Sequence, residues 1–102
     1  MDLKIHGHHI EVTDSIRDHI HSAFDTALDQ HARWITGVTV RLEDVNGPKG
    51  GVDKRCQAEI HVKPSGTVVL EETKEDMYAA INLVADKAKQ VVGRKVAKVR
   101  EK

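Results

Sequence analysis

The 102-residue sequence has one cysteine, two prolines, three aromatic residues and no net charge. A single Cys56 excludes an internal disulfide and fits a reducing compartment. With only Phe24, Trp34 and Tyr78, the chain has too few rings for a platform that stacks bases in the manner of sheet-type single-strand binders. No apolar run approaches the roughly 20 residues of a membrane helix, and no basic-then-apolar leader opens the chain. The expectation is therefore a cytoplasmic location. What is present is ordinary for one soluble domain, 39% apolar and 31% charged, too apolar for a disordered chain. One domain spanning 1–102 follows from the length.

The zero charge conceals a division. Residues 1–86 hold nine basic and fifteen acidic side chains, a balance of −6, whereas residues 87–102 hold seven basic and one acidic, a balance of +6. Counterion release depends on local charge density, so a neutral total excludes nothing about nucleic acid.

Periodicity gives the order β-α-β-β-β-α. Residues 2–9 alternate, with Leu3, Ile5 and Gly7 opposite Lys4, His6 and His8. Thr13 sits at a helix N-cap, and Ile16, Ile20, Phe24, Ala27, Leu28 and His31 form the apolar stripe of about five turns. The opposite stripe of Asp18, Ser22, Asp25 and Asp29 faces water. Val38, Val40 and Leu42 mark a second strand, and residues 46–53 form a Gly- and Pro-rich loop. In the third strand Cys56, Ala58, Ile60 and Val62 point inward. A turn over 63–66 leads to a fourth strand, residues 67–72, with Val68 and Leu70 inside. A last helix starts near Asp76, and beyond Gly93 its periodicity continues as a frayed tail, about 93–102. The fold class is α+β, a four-stranded mixed sheet with both helices on one face.

Catalytic chemistry finds little support. Cys56 lies among inward residues, and no serine has an elbow or triad context, so no enzyme is expected. The loop around Lys49 fails the Walker pattern, which leads into a helix. Seven histidines raise the question of metal. His6 and His8 share one face of the first strand, about 7 Å apart, with His9 on the other and His61 a possible neighbour. Without a Cys-x-x-Cys or His-Glu-x-x-His spacing they read as polar residues on an exposed sheet, and no metal or cofactor is expected.

The basic end of the chain carries the strongest signal. On a helix Lys87, Arg94 and Lys98 fall within about 40° on one flank of the apolar stripe, and Lys89 and Arg100 on the other. Lys95 lies near the stripe itself. More cations stand here than dipole complementarity requires, and phosphate is their natural ligand.

Asp76-Met77-Tyr78-Ala79-Ala80-Ile81 at the head of that helix, with Ile-His-Gly-His-His-Ile over residues 5–10 and the basic end, resembles the ribosome hibernation promoting factor and ribosome-associated inhibitor family (the sigma modulation proteins). The resemblance spans nearly the whole chain and suggests a short form, from a branch with a longer Gly-rich loop over residues 46–53. It implies a fold similar to a double-stranded-RNA-binding domain with an extra strand. It also implies binding to the small ribosomal subunit, in the channel of messenger RNA and transfer RNA, silencing translation in stress or stationary phase. Contacts from basic side chains to ribosomal-RNA phosphates would fall to Lys87, Lys89, Arg94, Lys95, Lys98 and Arg100 on the last helix, and more weakly to Lys49, Lys54, Arg55, Arg17 and Arg33, which charge and expected exposure suggest. No membrane or small-molecule substrate is implied, and the chain is expected to be a monomer off the ribosome. The acidic first helix leaves an alternative open, a non-catalytic protein-interaction module that binds no RNA.

Overall fold

The structure is a computed structural model that describes residues 2–45, 52–64 and 66–100, with Arg100 described by its backbone. Its elements are β1 (Asp2–His8), α1 (Asp14–Leu28), a 3-10 segment (Asp29–Trp34), β2 (Ile35–Asp44), β3 (Lys54–Val62), β4 (Gly66–Lys74) and α2 (Met77–Arg100). The strands form one sheet in the order β1-β2-β3-β4. β1 runs parallel to β2, as a helical crossover requires, and the other two pairs are antiparallel. The α+β arrangement read from periodicity is the observed one.

Alternation within each strand builds the core. Val38, Val40, Leu42, Cys56, Ala58, Ile60, Val62 and Val68 project from one face of the sheet. They meet Ile20, Phe24 and Leu28 of α1 and Ile81, Val84, Ala88 and Val92 of α2 in one apolar cluster. Both helices therefore cover the same face, and the other face is left polar. No helix among the described residues is long and apolar enough to cross a membrane.

Helix starts follow the capping chemistry. The Thr13 hydroxyl accepts from the Ile16 N–H at 3.2 Å, and the Asp76 carboxylate accepts from the Tyr78 N–H at 3.1 Å. The end of the first helix differs from expectation. α1 closes at Leu28, and residues 29–34 wind as the tighter 3-10 helix, with the Ile35 N–H donating to the Ala32 carbonyl. His31 is therefore on this segment and half-buried, not on a fifth α-helical turn. The tighter winding redirects the chain into β2, and the Trp34 carbonyl accepts from the Lys63 N–H at 2.7 Å.

The second helix runs without a break through Gly93 to Arg100. Val92 and Val96, on either side of Gly93, are both buried, so packing outweighs the roughly 1 kcal/mol propensity cost of one glycine.

The turn after β1 also departs from simple alternation. His9, expected on the face opposite His8, adopts φ 58°, and its ring lies 3.9 Å from that of His8. Alternation holds only while the backbone is extended, and a left-handed residue reverses the chain. Gly7 makes that reversal possible: a Cβ there would sit 2.6 Å from the Ile10 carbonyl and 2.8 Å from Val12.

Candidate nucleic-acid interface

α2 is long enough to carry two kinds of surface. Through its first turns it packs on β3, β4 and α1. Farther on, the 3-10 segment backs it, with Val96 beside His31 and Trp34. That support holds Lys89, Arg94 and Lys98 in one rigid helix, spanning about 14 Å along its axis. All three side chains are exposed. Among the described residues no carboxylate forms an ion pair with any of them. Asp86 is the last acid on α2, and it shares a shallow hollow with Lys89, Arg94, Gly93 and His31.

The 3-10 segment adds to this end of the molecule. His31 reaches the helix at Gly93, where a Cβ would lie 3.4 Å from its Nε2. Arg33 is exposed, with its guanidinium 5.4 Å from the Trp34 ring centre. Reading His31 as the last position of the apolar stripe of the first helix hid it from the candidates. An aromatic beside Arg33 was the available signal.

The other cations are placed differently. Lys87 is exposed but pairs with Glu72 on β4. Lys95 is half-buried beside the apolar stripe, and Arg17 is exposed on α1. Lys49 lies outside the described residues, as does the side chain of Arg100. The Lys54 ammonium donates to Asp44 at 3.1 Å and to Asp53 at 3.0 Å, and these hydrogen bonds, to Asp53 first and then to Asp44, raise its pKa above the usual lysine value. Asp53 is itself fully buried, with Oδ2 unpartnered among the described residues. Arg55 is on the open face of the sheet, paired with Glu43 and, at 3.8 Å, with Glu71. Arg41 pairs with Glu59 beside it. The structure thus places Lys89 and Arg94 at one hollow and Lys98 about half a turn round α2 from Lys89, all on one helix, and separates Lys54 and Arg55 from them, on the sheet.

The acidic stripe of α1 is where periodicity puts it, with Asp18, Asp25 and Asp29 exposed. Between the two helices, His19 bonds Asn82 at 2.7 Å and meets the Tyr78 ring edge-on at 5.0 Å. Cys56 is fully buried, and burial pushes its thiol up to about 12, so it is no nucleophile.

A four-stranded sheet covered by two helices in this arrangement has known counterparts. The family model described as sigma 54 modulation protein / S30EA ribosomal protein matches residues 3–100. The chain belongs to that family. Family members similar to it include the ribosome hibernation promotion factor of Picosynechococcus sp., 35% identical over the whole of this chain and 50% of the relative. The ribosome hibernation promoting factor of Salmonella typhimurium is 30% identical over 99% of both chains. The chain spans about a third to a half of some family members, among them the chloroplastic ribosome-binding factor of Spinacia oleracea. Among solved structures, the N-terminal domain of Thermus thermophilus Protein Y superposes with a TM-score of 0.73 at 28% identity, over 92% of this chain and 98% of that one.

Proposed function

We propose that this protein is a ribosome hibernation factor. It binds the small ribosomal subunit through ribosomal-RNA phosphates and fills the channel used by messenger RNA and transfer RNA. The single observation that carries the reading is the set of exposed cations Lys89, Arg94 and Lys98 on α2, free of carboxylate partners among the described residues, in a family whose relatives are named for ribosome hibernation. Lys89, Arg94 and Lys98 are the principal phosphate contacts, with Arg33 and Arg100 at the margins. Lys87 contributes after leaving Glu72. The mechanism is steric: a rigid domain occupies a path and is held by charge, so no transition state needs stabilising. The protein acts as a cytoplasmic monomer under stress or in stationary phase.

Co-sedimentation with purified small subunits across a salt series tests this. Each phosphate contact contributes roughly 0.7–0.9 to the slope of log affinity against log salt, so three main contacts give a slope of about −2 to −3. Displacement by bound messenger RNA and transfer RNA is the expected sign of the shared channel. Salt-independent binding, or binding unaffected by a filled channel, defeats the respective part of the proposal. The exposed acids of α1 favour one other reading, a protein-interaction module. Recovery of a discrete protein partner after nuclease treatment, with no ribosomal RNA, would select it.

A further inference from the structure

The turn after β1 assembles a group of side chains that phosphate binding does not use. His8 ends β1 opposite Glu43 in the parallel register with β2. His9 follows in a left-handed conformation that most residues avoid. The result is a donor atom from each of His8, His9 and Glu43, all within 4.8 Å of one another. Two imidazoles and a carboxylate are the donor set of open divalent transition-metal sites.

The neighbours set the carboxylate's aim and the local charge. Arg55 engages Oε1 of Glu43, which leaves Oε2 directed at His8 Nε2, 3.8 Å away. A second-shell partner of this kind orients a ligand before the metal arrives. Arg55 is offset in turn by Glu71. With neutral imidazoles, the group of Glu43, Glu71 and Arg55 carries one net negative charge, which suits a cation. Donors around tetrahedral Zn²⁺ stand about 3.3 Å apart, given bonds of about 2.0–2.1 Å. Both rings are exposed, so small side-chain rotations close the remaining gap. The reversal is fixed from behind by Gly7, which no larger residue can replace without meeting Ile10 and Val12.

We propose that His8, His9 and Glu43 form a surface site for one divalent transition cation, Zn²⁺ foremost, with a coordination position left open to solvent. His6 and His61 take no part. His61 is engaged by the Thr67 hydroxyl at 3.0 Å, and His6 pairs in register with Arg41.

The test is a competition titration of ZnCl₂ against a chromophoric chelator, using the full chain without a histidine tag at pH 7.5. One Zn²⁺ per chain is expected. Both His8→Ala and His9→Gly should weaken binding by at least ~10-fold, and Glu43→Gln by about 10-fold, whereas His6→Ala and His61→Ala stay within about twofold. Glycine accepts the left-handed conformation, so His9→Gly keeps the turn, and circular dichroism checks that it folds. Co²⁺ in place of Zn²⁺ should give a visible spectrum without thiolate bands, since Cys56 is buried. Absence of stoichiometric binding overturns the proposal. So does wild-type affinity in folded His8→Ala or His9→Gly, or an equal loss in His6→Ala.

Discussion

Arg41, Lys54 and Arg55 on the sheet and Lys89, Arg94 and Lys98 on α2 are the same chemistry in two settings. Each cation of the first set has a carboxylate within reach: Glu59 for Arg41, Asp44 and Asp53 for Lys54, Glu43 and Glu71 for Arg55. The second set has none among the described residues. A cation that is already neutralised must give up its partner before it gains a phosphate, so the number of basic residues overstates affinity on the sheet and not on α2. Topology produces the difference. Antiparallel pairing sets opposite charges side by side across β2, β3 and β4, whereas on α2 Lys87 reaches Glu72 of β4 but Lys89, Arg94 and Lys98 make no ion pair among the described residues.

The largest expected effect tests that contrast directly. Lys89→Glu, Arg94→Glu and Lys98→Glu together should weaken small-subunit binding by more than ~100-fold at low salt and flatten the salt slope by roughly 2–3. Arg41→Gln with Arg55→Gln should change it by about threefold or less, because exposed pairs contribute little either way. Equal losses in filter binding or co-sedimentation would erase the distinction between the two sets.

A second substitution should affect folding and spare binding. In Lys54→Met the fully buried Asp53 loses its ammonium partner, which is costly for a buried carboxyl group. Thermal unfolding should show Tm lower by roughly 5 °C or more. Ribosome affinity of the folded fraction should stay at the wild-type value. A stable variant with weakened binding would instead make Lys54 a phosphate ligand.

The fold was legible in the sequence where one period ruled. The alternation of Val38, Val40 and Leu42, and of Cys56, Ala58 and Ile60, set the inner face of the sheet, and Asp76 marked the start of α2. Three features escaped that logic. The 3-10 segment escaped because His31 continues the apolar spacing of α1 while the backbone tightens beneath it. The pairing of His8 with His9 escaped because a positive φ leaves no trace in hydropathy. The state of each cation escaped because Glu72 and Lys87, or Glu43 and Arg55, meet only through the tertiary fold. Basic residues could thus be counted from the sequence, and their availability could not.

Alkaline pH should separate the two regions again, more gently. Burial raises the Cys56 thiol from 9.0 to about 12, so the folded chain holds a proton that the unfolded chain releases. That contribution is complete below about pH 9 and declines as pH rises towards 12, by at most about 1.4 kcal/mol per pH unit. The raised pKa of Lys54 acts in the same direction, its contribution being lost as pH rises through the folded value, above 10.5. Denaturant titrations from pH 8 to 10.5 should show falling stability in the wild type and a flatter profile in Cys56→Ala. A profile unaltered by that substitution would mean the thiol is not the group concerned.

The smallest effect concerns whether the unpaired cations ride on one rod or two. Gly93 divides Lys89 from Arg94 and Lys98, and a glycine invites reading as a hinge. The buried side chains of Val92 and Val96 argue otherwise, since both belong to the same core. A Cβ at position 93 would meet only the His31 ring, at 3.4 Å, which is ordinary contact with a side chain able to yield. Gly93→Ala should therefore stabilise the protein by about 0.5–1 kcal/mol, through helix propensity and a less flexible unfolded chain. Small-subunit affinity should be unchanged, because the helix is already continuous. If Gly93→Ala stabilised the fold but weakened binding, α2 would have to bend at Gly93 on the ribosome, and the rigid placement of Arg94 and Lys98 relative to Lys89 would be wrong.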